Sequence, residues 1–83
     1  MYIPIVEVRP EDNYSLEVKF SDGQRRLLDM KPYLDKGVFN ILKDERTFKT
    51  VHVSFDTVEW DCGVDLDPEF VFEKSEPLVS AEK

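Results

Sequence analysis

The chain has 83 residues, of which 41% are hydrophobic and 35% charged, with 18 acids against 11 bases for a net charge of −7. That length supports one small domain with one core and excludes a two-domain enzyme. No apolar run approaches the ~20 residues of a membrane helix, the start Met1-Tyr2-Ile3-Pro4 lacks a signal-peptide layout, and one cysteine with one histidine makes neither a disulfide framework nor a zinc site. A cytoplasmic protein with no membrane contact is expected.

In chain order, Val6-Glu7-Val8-Arg9 alternates with a period of two and predicts a strand ended by Pro10. Glu11-Asp12-Asn13 reads as a turn. Tyr14, Leu16, Val18 and Phe20 then alternate with Ser15, Glu17 and Lys19, the clearest amphipathic strand in the chain. Ser21-Asp22-Gly23 supplies turn residues and Gln24–Asp29 is extended, so 14–29 is expected to be a hairpin, and with the first strand a three-stranded meander. Asp29 and Pro32 suit the start of a turn, Gly37 a left-handed stop, and Asp44–Phe48 a capped single turn, which together predict a broken helical region. Val51, Val53 and Phe55, followed by Val58-Glu59-Trp60, predict a second hairpin. Asp67-Pro68-Glu69 has the form of a helix start, with a carboxylate cap and proline at the first position.

The fold class is therefore α+β, a small antiparallel sheet with short helices. The domain is expected to span 1–75, with 76–83 a frayed, disordered tail. The expected core is Val6, Val8, Leu16, Val18, Phe20, Leu28, Leu34, Phe39, Leu42, Phe48, Val51, Val53, Val58 and Trp60.

Charge is unevenly spread. Residues 1–43 carry seven acids and seven bases, and 44–83 carry eleven acids and four bases. Asp56, Glu59, Asp61, Asp65, Asp67, Glu69 and Glu73 form a stretch without a single base, interleaved with apolar residues as in a folded strip. Such a surface repels phosphate backbones and attracts cations. These seven are the candidate contact residues for a basic protein partner, with plain solubility as the competing role.

Other chemistries fit less well. Asp61–Glu69 packs four carboxylates into nine residues, yet it lacks the glycine at the sixth and glutamate at the twelfth position of a calcium loop, so no metal or other cofactor is expected. A small enzyme would need Cys62 and His52 to meet, with Asp61 and Asp65 nearby, but His52 between two valines should point outward and nothing around Cys62 forms a catalytic signature. No catalytic residue is assigned. Lys19, Arg25, Arg26 and Lys31 are the best basic stripe, interrupted by Glu17, Asp22 and Asp29, so nucleic acid is not an expected partner of this chain alone.

The order Asp12-Asn13-Tyr14-Ser15-Leu16, Phe20-Ser21-Asp22-Gly23, Asp29 through Pro32 and Leu34, Gly37-Val38-Phe39 and Leu42, with Phe48, Val51, Trp60, Gly63-Val64-Asp65-Leu66-Asp67-Pro68-Glu69 and Ser75, resembles the small bacterial family called domain of unknown function 2442. Coverage runs from about Val6 to Ser75. Many relatives have proline after the tryptophan, where Asp61-Cys62 stands here. The resemblance implies an α+β domain and no reaction. It also implies genetic pairing with another short protein, in the manner of toxin and antitoxin modules, and in longer members a following helix-turn-helix that this chain is not expected to have. Asp65, Asp67, Pro68 and Glu69 are then either helix caps or a contact surface. The expectation is a non-catalytic interaction or regulatory module, the acidic, antitoxin-like partner of a small basic protein, with a homodimer through a sheet edge compatible with it. A metal-dependent or cysteine/histidine enzyme and a nucleic-acid accessory domain are the alternatives.

Overall fold

Alternation places Leu16, Val18 and Phe20 on one side of a strand, and in the computed structural model, which describes residues 3–78, all three are fully buried. Their strand β2 (Ser15–Phe20) pairs antiparallel with β1 (Ile5–Glu11) on one side and β3 (Arg25–Asp29) on the other, the expected meander. Val8 lies opposite Val18, and Leu16 lies between Pro10 and Leu28. Pro10 does not end β1; it sits within the outermost strand, where alternate amides face away from the ladder and none is missed.

Val6 corrects the expected core. The register steps from Ile5 opposite Phe20 to Glu7 opposite Lys19, so Val6 is the extra residue of a bulge. The bulge shifts the alternation by one: Ile5 is buried and Val6 is 47% exposed.

The turns follow their residue types. Gly23 takes φ +95° between β2 and β3. Beside it the Gln24 side chain and then its backbone amide donate to Asp22, which holds that carboxyl below the usual carboxylate value. This contribution to the hairpin is present above the ordinary carboxylate pKa and disappears as pH falls through the lowered one. Tyr14 belongs to a 3-10 turn, Asp12–Tyr14, and not to β2; it is held at φ 59° by the Met30 amide, which donates to its carbonyl at 2.9 Å, and by its own hydroxyl on the Lys43 carbonyl.

The helical region is broken, as expected. Two 3-10 stretches, Lys31–Tyr33 and Gly37–Lys43, precede a four-residue helix α1 (Glu45–Phe48), with Asp29 accepting from the Lys31 amide and Gly37 at φ +52°. Phe48 then anchors Trp60. The fully buried indole needs a partner for its N–H and donates it to the Phe48 carbonyl at 2.9 Å, while the Tyr14 ring meets the Phe48 ring edge-on.

The second hairpin joins β4 (His52–Ser54) to β5 (Thr57–Glu59) through two residues, Phe55 and Asp56, at φ 49° and 70°. Positive φ at both positions marks the primed turn that matches strand twist, a turn that favours Asn and Gly. The chain then folds back at Asp61–Gly63, so that Asp65 bridges to Glu59 and the Leu66 amide reaches the Val58 carbonyl. Helix α2 (Pro68–Lys74) starts where the sequence predicts, with the Asp67 carboxylate accepting from the Glu69 amide at 2.8 Å.

The end of α2 is held by Arg26. On β3 it lies opposite Val18 and so faces the inner side of the sheet. Its guanidinium donates to the Ser75 hydroxyl at 2.8 Å and to the carbonyls of Ser75 and Phe72 at 2.8 and 3.1 Å, and it stacks 4.2 Å over the Phe72 ring. A cation in a fork geometry suits the last carbonyls of a helix. The chain continues directly into β6 (Glu76–Pro77), which pairs with Leu27 and Arg26 and makes the sheet order β1-β2-β3-β6. The sheet thus takes in two residues assigned to the tail; 79–83 of that tail lie outside the described residues. Ile5, Met30, Leu66 and Val71 join the expected core, whereas Val8, Phe39 and Val53 pack against it half-buried. No helix among the described residues is long and apolar enough to cross a membrane.

Replacing Arg26 with Leu removes the donor to the Ser75 hydroxyl and to the Phe72 and Ser75 carbonyls and should destabilise the domain by about 3 kcal/mol, a large share of the stability of so small a fold. Arg26→Lys should recover less than half, because an ammonium has neither the planar fork that spans these acceptors nor the flat face that stacks on Phe72. Urea unfolding measures both. Phe55→Asn should act in the other direction, raising stability by about 1 kcal/mol in thermal unfolding, since asparagine tolerates the left-handed region that strains phenylalanine.

Candidate functional site

The acidic stretch occupies two connected parts of the fold. Strand pairing sets His52 beside Glu59 and Glu59 beside Asp65, so these three form a row on the outer face of the small sheet, while Val53 and Val58 point inward. Asp56 lies in the β4–β5 loop and Asp61 opens the next turn. Asp67 caps α2, and Glu69 and Glu73, four apart, share one flank of that helix. All seven are exposed except Glu59, which is half-buried.

Two local roles are settled by geometry. Asp67 is a helix cap, and Gly63, at φ +95°, is a turn residue. Substituting Asp67 would therefore disturb folding as well as any contact, at a typical cost of about 1 kcal/mol. Asp65 makes an isolated backbone bridge to Glu59, and its side chain is exposed.

His52 is exposed, as its place between two valines implies. Its Nδ1 lies 2.9 Å from the Thr50 carbonyl and 3.5 Å from Asp61, and its Nε2 lies 3.8 Å from Glu59. The ring is thus set among a carbonyl and two carboxylates. Cys62 is exposed at the neighbouring turn. Among the described residues, no three of His, Cys, Asp and Glu are arranged to hold a metal ion.

The basic stripe of the first hairpin is dissolved by pairing. Arg25 meets Glu17 at 2.9 Å, Lys31 meets Asp29 at 3.1 Å, and Arg26 is turned inward to α2. Lys19 stands between Glu7 and Arg25 on the outer sheet face. Lys43 is also taken: it pairs with Asp35 and holds that carboxyl below its usual value. The outer face of the sheet is a chequer of both signs.

Sequence reasoning misses two surface features. One is a hollow of about 500 Å³ beside α2, with Ile3, Pro68 and Phe72 as an apolar floor and Glu69 and Glu73 on its rim. The other is Phe55, 97% exposed at the hairpin tip. Its alternation with Val51 and Val53 suggests an inward residue, but a two-residue loop turns it out of the strand. The available signal was the spacing: two residues between alternating runs form the loop, whatever their type.

Neither curated proteins nor solved structures give a match to this chain. The family model described as "Protein of unknown function (DUF2442)" matches residues 5–77, from the first residue of β1 to the last of β6. Strand for strand, the matched span is the whole of the described sheet together with the acidic return and α2, and the chain belongs to that family.

Proposed function

We propose that this domain is a non-catalytic, cytoplasmic interaction module whose acidic segment, Asp56 to Glu73, docks a basic protein partner. One observation carries the reading. Among the described residues, Glu59, Asp61, Asp65, Asp67 and Glu73 have no lysine or arginine within ion-pair distance, whereas three of the seven cations of the first half meet carboxylates of that same half: Arg25 with Glu17, Lys31 with Asp29, Lys43 with Asp35. These five carboxylates are thus set apart from the lysines and arginines of the described residues. A surface of that kind speeds encounter with a positive partner and selects against negative ones. The pairing suggested by the family resemblance, an acidic antitoxin-like member with a small basic protein, has the same chemistry.

The test spares the caps. The variant Asp61→Asn, Asp65→Asn, Glu73→Gln leaves Asp67 in place and should keep its unfolding midpoint. The wild-type chain, immobilised and exposed to lysate of its source cells at about 0.05 M salt, should retain a small basic protein in stoichiometric amount and release it at about 0.5 M, because exposed charges are screened within a few ångströms there. The triple variant should retain at least ten-fold less. Equal retention by the two chains, or retention indifferent to salt, would remove the acidic surface from the account.

A further inference from the structure

At the tip of the β4–β5 hairpin one side chain is placed against every local preference. Phe55 is 97% exposed, more than any other large apolar residue described. Its φ of 49° lies in the left-handed region, where a bulky residue is an outlier and Asn or Gly is the usual occupant. The ring gains almost no packing within the chain, so it carries both backbone strain and exposed apolar area without return from folding. Strain combined with an exposed aromatic is the pattern of a binding anchor.

The Asp56 carbonyl accepts from the Ile5 amide at 2.9 Å, tying the loop to β1, and the bulge next to that bond turns Val6 outward. Behind the tip, the same small sheet carries Glu59 and Asp65 in one row, with Asp61 at the following turn. An exposed aromatic on a loop tied to β1, with carboxylates behind it, fits an apolar pocket rimmed by lysine or arginine, cations that favour both the carboxylates and the face of the ring. A second copy of this chain fits poorly, since each brings a charge of −7.

Resting on the acidic-surface reading, we infer that Phe55 is the apolar anchor of the interface: its ring inserts into the pocket of a basic protein while Glu59, Asp61 and Asp65 meet the cations around that pocket.

The probes are two short synthetic peptides of equal charge, one an amphipathic helix of lysine and leucine, the other with every leucine replaced by serine, each titrated into the isotope-labelled full chain and followed by NMR. Both should shift Glu59, Asp61 and Asp65 at low salt. The leucine peptide should also shift residues 54–57 and bind roughly ten-fold more tightly. Phe55→Asn should erase that advantage while raising the thermal midpoint, so the loss is not unfolding, and Phe55→Leu should keep most of it. If Phe55→Asn binds the leucine peptide as tightly as wild type, or if the leucine-specific shifts fall on Ile3, Pro68 and Phe72, the anchor is overturned and the acidic surface stands. If neither peptide shifts the acidic residues, both readings fall. Self-association in sedimentation that Phe55→Asn abolishes would replace the basic partner with a second copy and overturn the proposal as well.

Discussion

A single guanidinium holds the end of α2 and the strand that follows it. Helix α2 has seven residues, too few to persist without tertiary support. Arg26 supplies that support by taking the Phe72 and Ser75 carbonyls and the Ser75 hydroxyl into one fork and stacking over the Phe72 ring, which also meets Phe20 edge-on. Because Glu76 follows Ser75 without a linker, fixing the helix end also delivers β6 to the edge of β3. The hollow over Phe72 and the acidic flank of α2 take their positions from an arginine of the opposite half of the chain.

The division of charge in the sequence becomes a division of surfaces in the fold. On the outer face of the large sheet, acids and bases alternate across strands, with Glu7 beside Lys19 and Arg9 beside Glu17. Cross-strand pairs of opposite sign support a sheet and leave it nearly neutral. From β5 to the last turn of α2 there is no such alternation, since between Asp56 and Glu73 there is no base to supply it. His52 stands between two of these acids, Glu59 and Asp61. The two halves thus share a core but present different electrostatic surfaces.

What could be read from the sequence was whatever produces a period or a cap. The alternation of 15–20, the glycine turn at 23, the broken helical region and the Asp67-Pro68 helix start all appear where expected. The seven acids were equally visible, because charge needs no fold to be counted. The bulge at Val6 was not legible, since one extra residue leaves no compositional mark and reverses which side chains face inward. Arg26 was misleading for a related reason: Arg25-Arg26-Leu27-Leu28 has no alternation, and the structure turns an arginine inward and a leucine partly outward. Phe55 was concealed by a pattern that continued one residue past its strand.

Two prolines in the large sheet lie on its two outermost strands, Pro10 on β1 and Pro77 on β6. Each removes a backbone donor from an edge, β6 is only two residues long, and the Ile5 amide on the other edge is already taken by Asp56. Neither border offers the continuous ladder that an incoming strand would need, which is how natural sheets resist edge-to-edge growth into aggregates. The borders of the large sheet are thereby closed to the generic hydrogen bonding that any extended chain could provide, and what they present to solvent is the identity of their side chains.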